Sequence, residues 1–401
     1  MATITIPAGI TSTGLIIEAG DILNIENGGS ATNTTENGGA VNIKDGGYAD
    51  FLANTITGQT INNAAMTVHK NTVANENLFT WAGILKVYDG GVASGNVFEA
   101  SWAGIDISGG KITGTTANVG SGYFNVSAGG IAENTVFSDN WRWGGHMNVY
   151  ADASVTGTTV NAGYLIVKTG GTATDTLIAG GNLNIDGGIA TGIKVTAGSL
   201  NVNADGMAND IDLTSATLNV NTGGIADGVT LVERNTVNVA AGGKLDGLTE
   251  VGLYNTVNIA SDGSAFKIKE TGGAVYVTEG GTAEFVENTV TGATVDNYVM
   301  TVHSGTKANE NVFGWGGILK VYDGGVASGN VFEAGWAGID ISGGKITGTT
   351  ANVGSGYFNV SAGGIAENTV FSDNWRWSSP PTSPTSTSNN SSSAPSTRNA
   401  V

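Results

Sequence analysis

The chain has 401 residues, 64 of them glycine and none cysteine, with 12% charged residues and a formal charge of −18. Without cysteine there is no disulfide, no thiolate zinc site and no cysteine nucleophile, and the acidic excess repels phosphate backbones and anionic lipid surfaces, so neither nucleic acid nor direct membrane insertion is expected. Apolar residues still make up 40% of the chain, which is enough to build a core and argues against a disordered polymer.

Residues 1–22 open with MATITIPAGITSTGL and are expected to form an N-terminal cap and first strand. They carry no basic start and no continuous apolar run, so an export signal is expected outside this sequence. From Leu23 onward a unit recurs: apolar-x-apolar, two residues, usually Gly-Gly, then often x-Ala-x-x-Thr-x-Val. Eighteen such apolar pairs run from Leu23/Ile25 to Phe358/Val360, spaced by about 20 residues, and a short fixed period of this kind marks a solenoid. The period-two alternation predicts strands with one buried face, and the glycines supply the positive-φ turns. A hairpin would pair two unlike half-units, whereas here whole units repeat. Residues 23–377 are therefore expected to form an all-β, parallel β-helix (β-solenoid) of about 18 rungs of about 20 residues.

Ten of the eighteen pairs carry Asn between their apolar residues, among them Asn24, Asn42, Asn184, Asn201, Asn219 and Asn258. Since the flanking residues point inward, these amides are expected to point outward and bond from rung to rung as a ladder. The step lengths repeat as well. Residues 67–143 and 301–377 differ at seven of 77 positions, which identifies a duplicated block, 45–143 and 279–377, with the same inserted loop in each copy at a 25-residue step. After Trp377 residues 378–401 hold nine Ser, four Thr and four Pro without alternation, the composition of a disordered tail.

All eight tryptophans lie in the duplicated block: Trp81, Trp102, Trp141 and Trp143, then Trp315, Trp336, Trp375 and Trp377. Each falls late in its rung, so they gather at one edge of the coil. They are expected either to pack as an aromatic corner over the core ends or to stand out as a stripe that stacks on sugar rings or on another copy, with Arg142 and Arg376 as polar contacts. The histidines His69, His146 and His303 have no catalytic partner at motif spacing and are read as exposed polar residues. Asp45, Asp89, Asp186, Glu279 and Asp323 each precede Gly-Gly and are read as turn residues. No calcium nonapeptide is present, and neither a metal nor a cofactor is expected.

Units such as GGIAENTVFSDN, GYLIVKTGGTATDTLIAGG and ATLNVNTGGIADGVTLV resemble the AIDA-type repeats of autotransporter adhesins from Gram-negative bacteria. The resemblance implies a right-handed β-helix passenger at the cell surface, acting in adhesion, autoaggregation or biofilm formation. By the same resemblance Thr135, Thr174, Thr176 and Thr369 are candidate glycan acceptors. The implied partner is a host or bacterial surface glycan or protein, or the protein itself, and the implied location is extracellular. No enzyme is expected, the alternatives being a carbohydrate-active β-helix enzyme and a purely structural surface spacer.

Overall fold

A computed structural model describes residues 1–99, 102–120, 122–138, 144–248, 250–333, 335–354 and 356–372. The expected tail, 378–401, lies outside the described residues. The described chain is strand and turn, and no helix is long and apolar enough to cross a membrane.

One coil shows how the sequence becomes structure. Ile84–Tyr88 forms the first strand, Val92–Ser94 the second and Val97–Phe98 the third, joined by tight corners. Each strand pairs in parallel with the matching strand of the next coil: Leu85 opposite Ile105, Ala93 opposite Ile112, Phe98 opposite Ala117. Alternation turns Leu85, Val87, Ala93 and Phe98 inward, where each is 0% exposed. A fully buried Val, Leu or Phe contributes about 1.5–3 kcal/mol, and in a solenoid that contribution depends on the adjoining coil alone.

The first corner explains the glycine pairs. Gly90 has φ +70°, in the left-handed region, while a Cβ added to Gly91 would lie 2.2 Å from the Val68 carbonyl oxygen of the preceding coil. One glycine answers a backbone angle and the other a close approach between coils. The second corner uses a left-handed residue as well. Glu76, Gly95, Gly114 and Asn134 all have positive φ, and each donates its N–H to a carbonyl of the following coil at 2.8–3.0 Å. The residue after it points inward: Asn77, Asn96, Thr115, Thr135, Thr158 and Thr176 are all buried.

The described coils form two compact units, Met1–Val286 and Glu287 onward. In the first, the first-strand sheet comprises Thr3–Ile6, Ile22–Ile25 and Ala40–Ile43, followed by a 12-stranded parallel sheet from Ala65–Val68 to Ala274–Val277. In the second it comprises Val299–Val302, Ile318–Tyr322, Gly338–Ser342 and Tyr357–Val360. The parallel β-solenoid expected from the repeat is thus present. Two details differ from expectation. Residues 3–18 form a complete coil of three strands, Thr3–Ile6, Thr11–Thr13 and Ile16–Glu18, because Ile4/Ile6 is itself an apolar pair that stacks on Leu23/Ile25. The 25-residue step is not a loop, since it holds the strands Tyr48–Phe51, Asn54–Thr57 and Thr60–Ile61.

At that step the first-strand ladder breaks between Ala40–Ile43 and Ala65–Val68. A carboxylate bridges the break. Glu36 occupies an inward position, 0% exposed, where it accepts hydrogen bonds from the Thr67 hydroxyl at 2.6 Å and the His69 N–H at 2.8 Å, with His69 Nδ1 at 2.7 Å. His69 is stacked between Phe51 and Tyr88, with ring centroids 4.5 Å away on each side. His69 and His303, read from sequence as exposed, are 9% and 8% exposed; for His69 the aromatic sandwich and the buried carboxylate are the reason.

Two outcomes follow from these corners and this break. Gly90→Ala should cost about 1–2 kcal/mol, the ordinary penalty of a left-handed non-glycine, and Gly91→Ala should cost more, because backbone must move; urea unfolding of the two variants measures the difference. Glu36→Ala should cost about 1–3 kcal/mol for each buried donor left without its acceptor, with amide exchange at His69 rising first.

Candidate surface site: paired tryptophans on successive coils

The third corner carries the tryptophans. Trp81 follows the strand Leu78–Phe79, whose Phe79 points into the core, and its carbonyl accepts the Asn63 N–H at 2.7 Å. Trp102 lies at the same corner one coil later but one position further along in register, over Ala82, and shares its left-handed backbone: Ala82 has φ +50° and Trp102 φ +70°. The residue after it, Ala103, takes the inward position and is fully buried, so the indole beside it has no place inside. Trp81 and Trp102 are 57% and 58% exposed, and their doubles Trp315 and Trp336 are 54% and 57% exposed. Of the two arrangements the sequence allowed, the described rings take the outward one. In the second unit the rings of Trp315 and Trp336 stand 6.3 Å apart, tilted by 57°. Trp141, Arg142, Trp143, Trp375, Arg376 and Trp377 lie outside the described residues.

The threonines expected as glycan acceptors divide by position. Thr135 and Thr176 fill the second corner from inside, 0% and 1% exposed, out of reach of a transferase acting on the folded coil. The sequence pattern Ala-x-x-Thr-x-Val gives no outward sign that its threonine is internal. Thr174 is exposed, with its hydroxyl 3.3 Å from that of Thr156, and Thr369 is half-buried, donating to the Glu367 carbonyl at 3.3 Å.

The first-strand face is a polar ladder. Asn201 donates to Asn184 at 2.8 Å, Asn219 to Asn201 at 2.8 Å, Asn238 to Asn219 at 2.9 Å and Asn258 to Asn238 at 2.9 Å. A shorter ladder runs from Asn148 through Asn125 to Asp106, whose carboxylate ends it as a pure acceptor. The Tyr123 ring lies over Gly104, where a Cβ would sit 2.5 Å from its Cζ. Its hydroxyl is pushed up to about 12, first by burial, then by the charge and hydrogen bond of Asp106. His146 is exposed and stacks on Tyr164 at 5.1 Å. Among the described residues no three His, Asp or Glu side chains gather as a metal site. The turn acids Asp45, Asp89, Glu279 and Asp323 are exposed, while Asp186 accepts the Asn203 amide at 2.5 Å. The buried Glu36–His69 contact escaped sequence reading because its partners are 33 residues apart and no spacing rule joins them.

No protein-family model matches this chain, and no curated protein sequence does. Among solved structures it is similar to the TibC-catalysed hyper-glycosylated TibA 55–350 fragment, at 26% identity and a TM-score of 0.47, covering 70% of this chain and 94% of that one.

The tyrosine provides a pH readout. A folded-state value raised to about 12, against an unfolded value near 10, contributes stability that is complete below pH 10 and is lost as pH climbs toward 12. Ultraviolet titration of the phenolates should show Tyr123 among the last to ionise, and Asp106→Asn should bring it down.

Proposed function

We propose that this protein is a cell-surface adhesin or self-associating passenger, working outside the cell through repeated contacts with a surface glycan, a surface protein or another copy of itself. The observation that carries this reading is the same exposed tryptophan pair occurring twice, Trp81 with Trp102 and Trp315 with Trp336. Large aromatic side chains left in water cost solvation free energy and suit sugar rings or apolar partner surfaces. Two copies of one weak site bind as a unit, so avidity can exceed either affinity by about 10²–10⁴. The repeat class supports the same reading. An outer face built of Asn amides bonded to one another adds polar surface and with it solubility.

The test uses three variants of the full chain: Trp81→Ala with Trp102→Ala, Trp315→Ala with Trp336→Ala, and all four together. Cell aggregation and binding to immobilised surface glycans are measured beside the melting temperature. Either double variant should lose at least about tenfold in binding and the quadruple variant nearly all of it, with melting unchanged because the rings are exposed. Undiminished binding by the quadruple variant would sink the reading; lost melting stability would return the rings to a structural role.

A further inference from the structure

We infer that a second copy of this chain stacks on the end of the last described coil, so that the β-coil continues from one molecule into the next. Residues 102–138 and 336–372 are identical in sequence, yet their surroundings differ. In the first copy Phe124, Val126, Ala132 and Phe137 are 0% exposed, because His146–Val149, Ser154–Thr156 and Thr159–Val160 lie on them in parallel register. In the second copy no strand among the described residues lies on Tyr357–Val360, Ile365–Glu367 and Val370–Ser372. At the matching positions Val360 is 46% and Phe371 57% exposed, Ala366 is exposed and Phe358 is half-buried. The same sequence is a dry core in one place and half of one in the other.

The first copy shows what fits that half: a coil whose strands begin at His146, Ser154 and Thr159, eight and then five residues apart. The coil of Thr3–Ile6, Thr11–Thr13 and Ile16–Glu18 has the same spacing, and no strand among the described residues lies on its N-terminal side. In that register Ile4 of the second copy meets Phe358, Ile6 meets Val360, Ser12 meets Ala366 and Ile17 meets Phe371. The backbones agree along the strand except at its end, where Pro7 stands at the place from which Tyr150 donates to the Val126 carbonyl, so the Val360 carbonyl gains no N–H there. In a parallel ladder each residue bonds to one side and the next residue to the other. Ile22 donates to the Ala2 carbonyl at 2.8 Å and Glu26 to the Ile6 carbonyl at 3.0 Å, which leaves Thr3 and Thr5 turned toward the open side. Tyr357 and Ser361 donate back to Ala337 and Ile341 at 3.3 and 2.9 Å, which leaves Phe358 and Val360 turned toward theirs. Two open edges of matching polarity, strand spacing and direction make a heterologous contact that does not close on itself. It involves the coil ends and does not draw on the tryptophan corners.

The full 401-residue chain is followed by sedimentation velocity over a concentration series. The parent should form species that grow beyond dimer as concentration rises. Thr5→Pro and Val360→Pro each remove one N–H at an open edge and no bond within the chain, so each variant alone should remain monomeric. Their equimolar mixture should give dimers and nothing larger, since each retains one intact end. Phe371→Asp repeats the block at the C-terminal end without a proline, and the circular dichroism and melting of every variant are matched to the parent. The proposal is overturned if the parent stays monomeric, if growth persists in both proline variants, or if growth begins only after residues 373–401 are deleted, which would place that segment on the end. Alanine at Trp81, Trp102, Trp315 and Trp336 should leave growth intact, and its loss there would also overturn the end-to-end contact.

Discussion

Parallel pairing of each coil with the next is the constraint on which the structure rests. Strands in a sheet lie about 4.8 Å apart, so a residue at a given point of one coil has its counterpart from the next coil directly against it. Whatever a position requires, it requires again at every turn. Apolar positions become a continuous core, from Leu85 and Val87 to Ile105 and Ile107. Outward Asn positions become donors and acceptors for one another. Glycine is demanded wherever a coil passes close over the carbonyl beneath it, as Gly91 passes over Val68.

The same constraint accounts for the irregular places. Where the 25-residue step interrupts the first-strand ladder, the N–H of His69 loses a carbonyl partner from the coil beneath it, and a buried N–H without a partner is costly. Glu36 supplies the missing acceptor from an inward position that the coil before it gives to Ile17. A carboxyl group is tolerated there because its two oxygens are bonded to the Thr67 hydroxyl, the His69 N–H and the His69 ring. At the third corner the corresponding limit is space. Small Ala103 fills the inside, and the indole of Trp102 is left outside.

What could be read from the residues follows the same division. The apolar pairs, the Gly-Gly turns and the Asn ladder were legible because their signals are local and recur in phase, and Asn201, Asn219 and Asn238 stand where alternation puts them. The second corner was not, since a buried Thr135 or Asn96 looks like any polar turn residue until the left-handed residue before it is known. Nor was the junction at Glu36, which depends on chain separated by 33 residues. The tryptophans fell between: their corner was legible, their direction was not, because Trp satisfies either an internal or an external place.

The buried polar residues of the second corner come in blocks. Asn77 is bonded to Asn96, through both its backbone N–H and its side-chain amide, and Asn311 to Asn330 in the same way, whereas Thr115, Thr135, Thr158 and Thr176 follow one another with hydroxyls that make no hydrogen bond among the described residues. Coils that share their outer pattern are nearly interchangeable as neighbours, and a duplicated sequence multiplies the wrong partners available during folding. A slip by one coil that set Asn77 beside Thr115 would take away the Asn96 oxygen that accepts both its backbone N–H and its side-chain amide. The corner therefore works as an internal address, written inside the coil, that tells apart neighbours whose outer surfaces are alike.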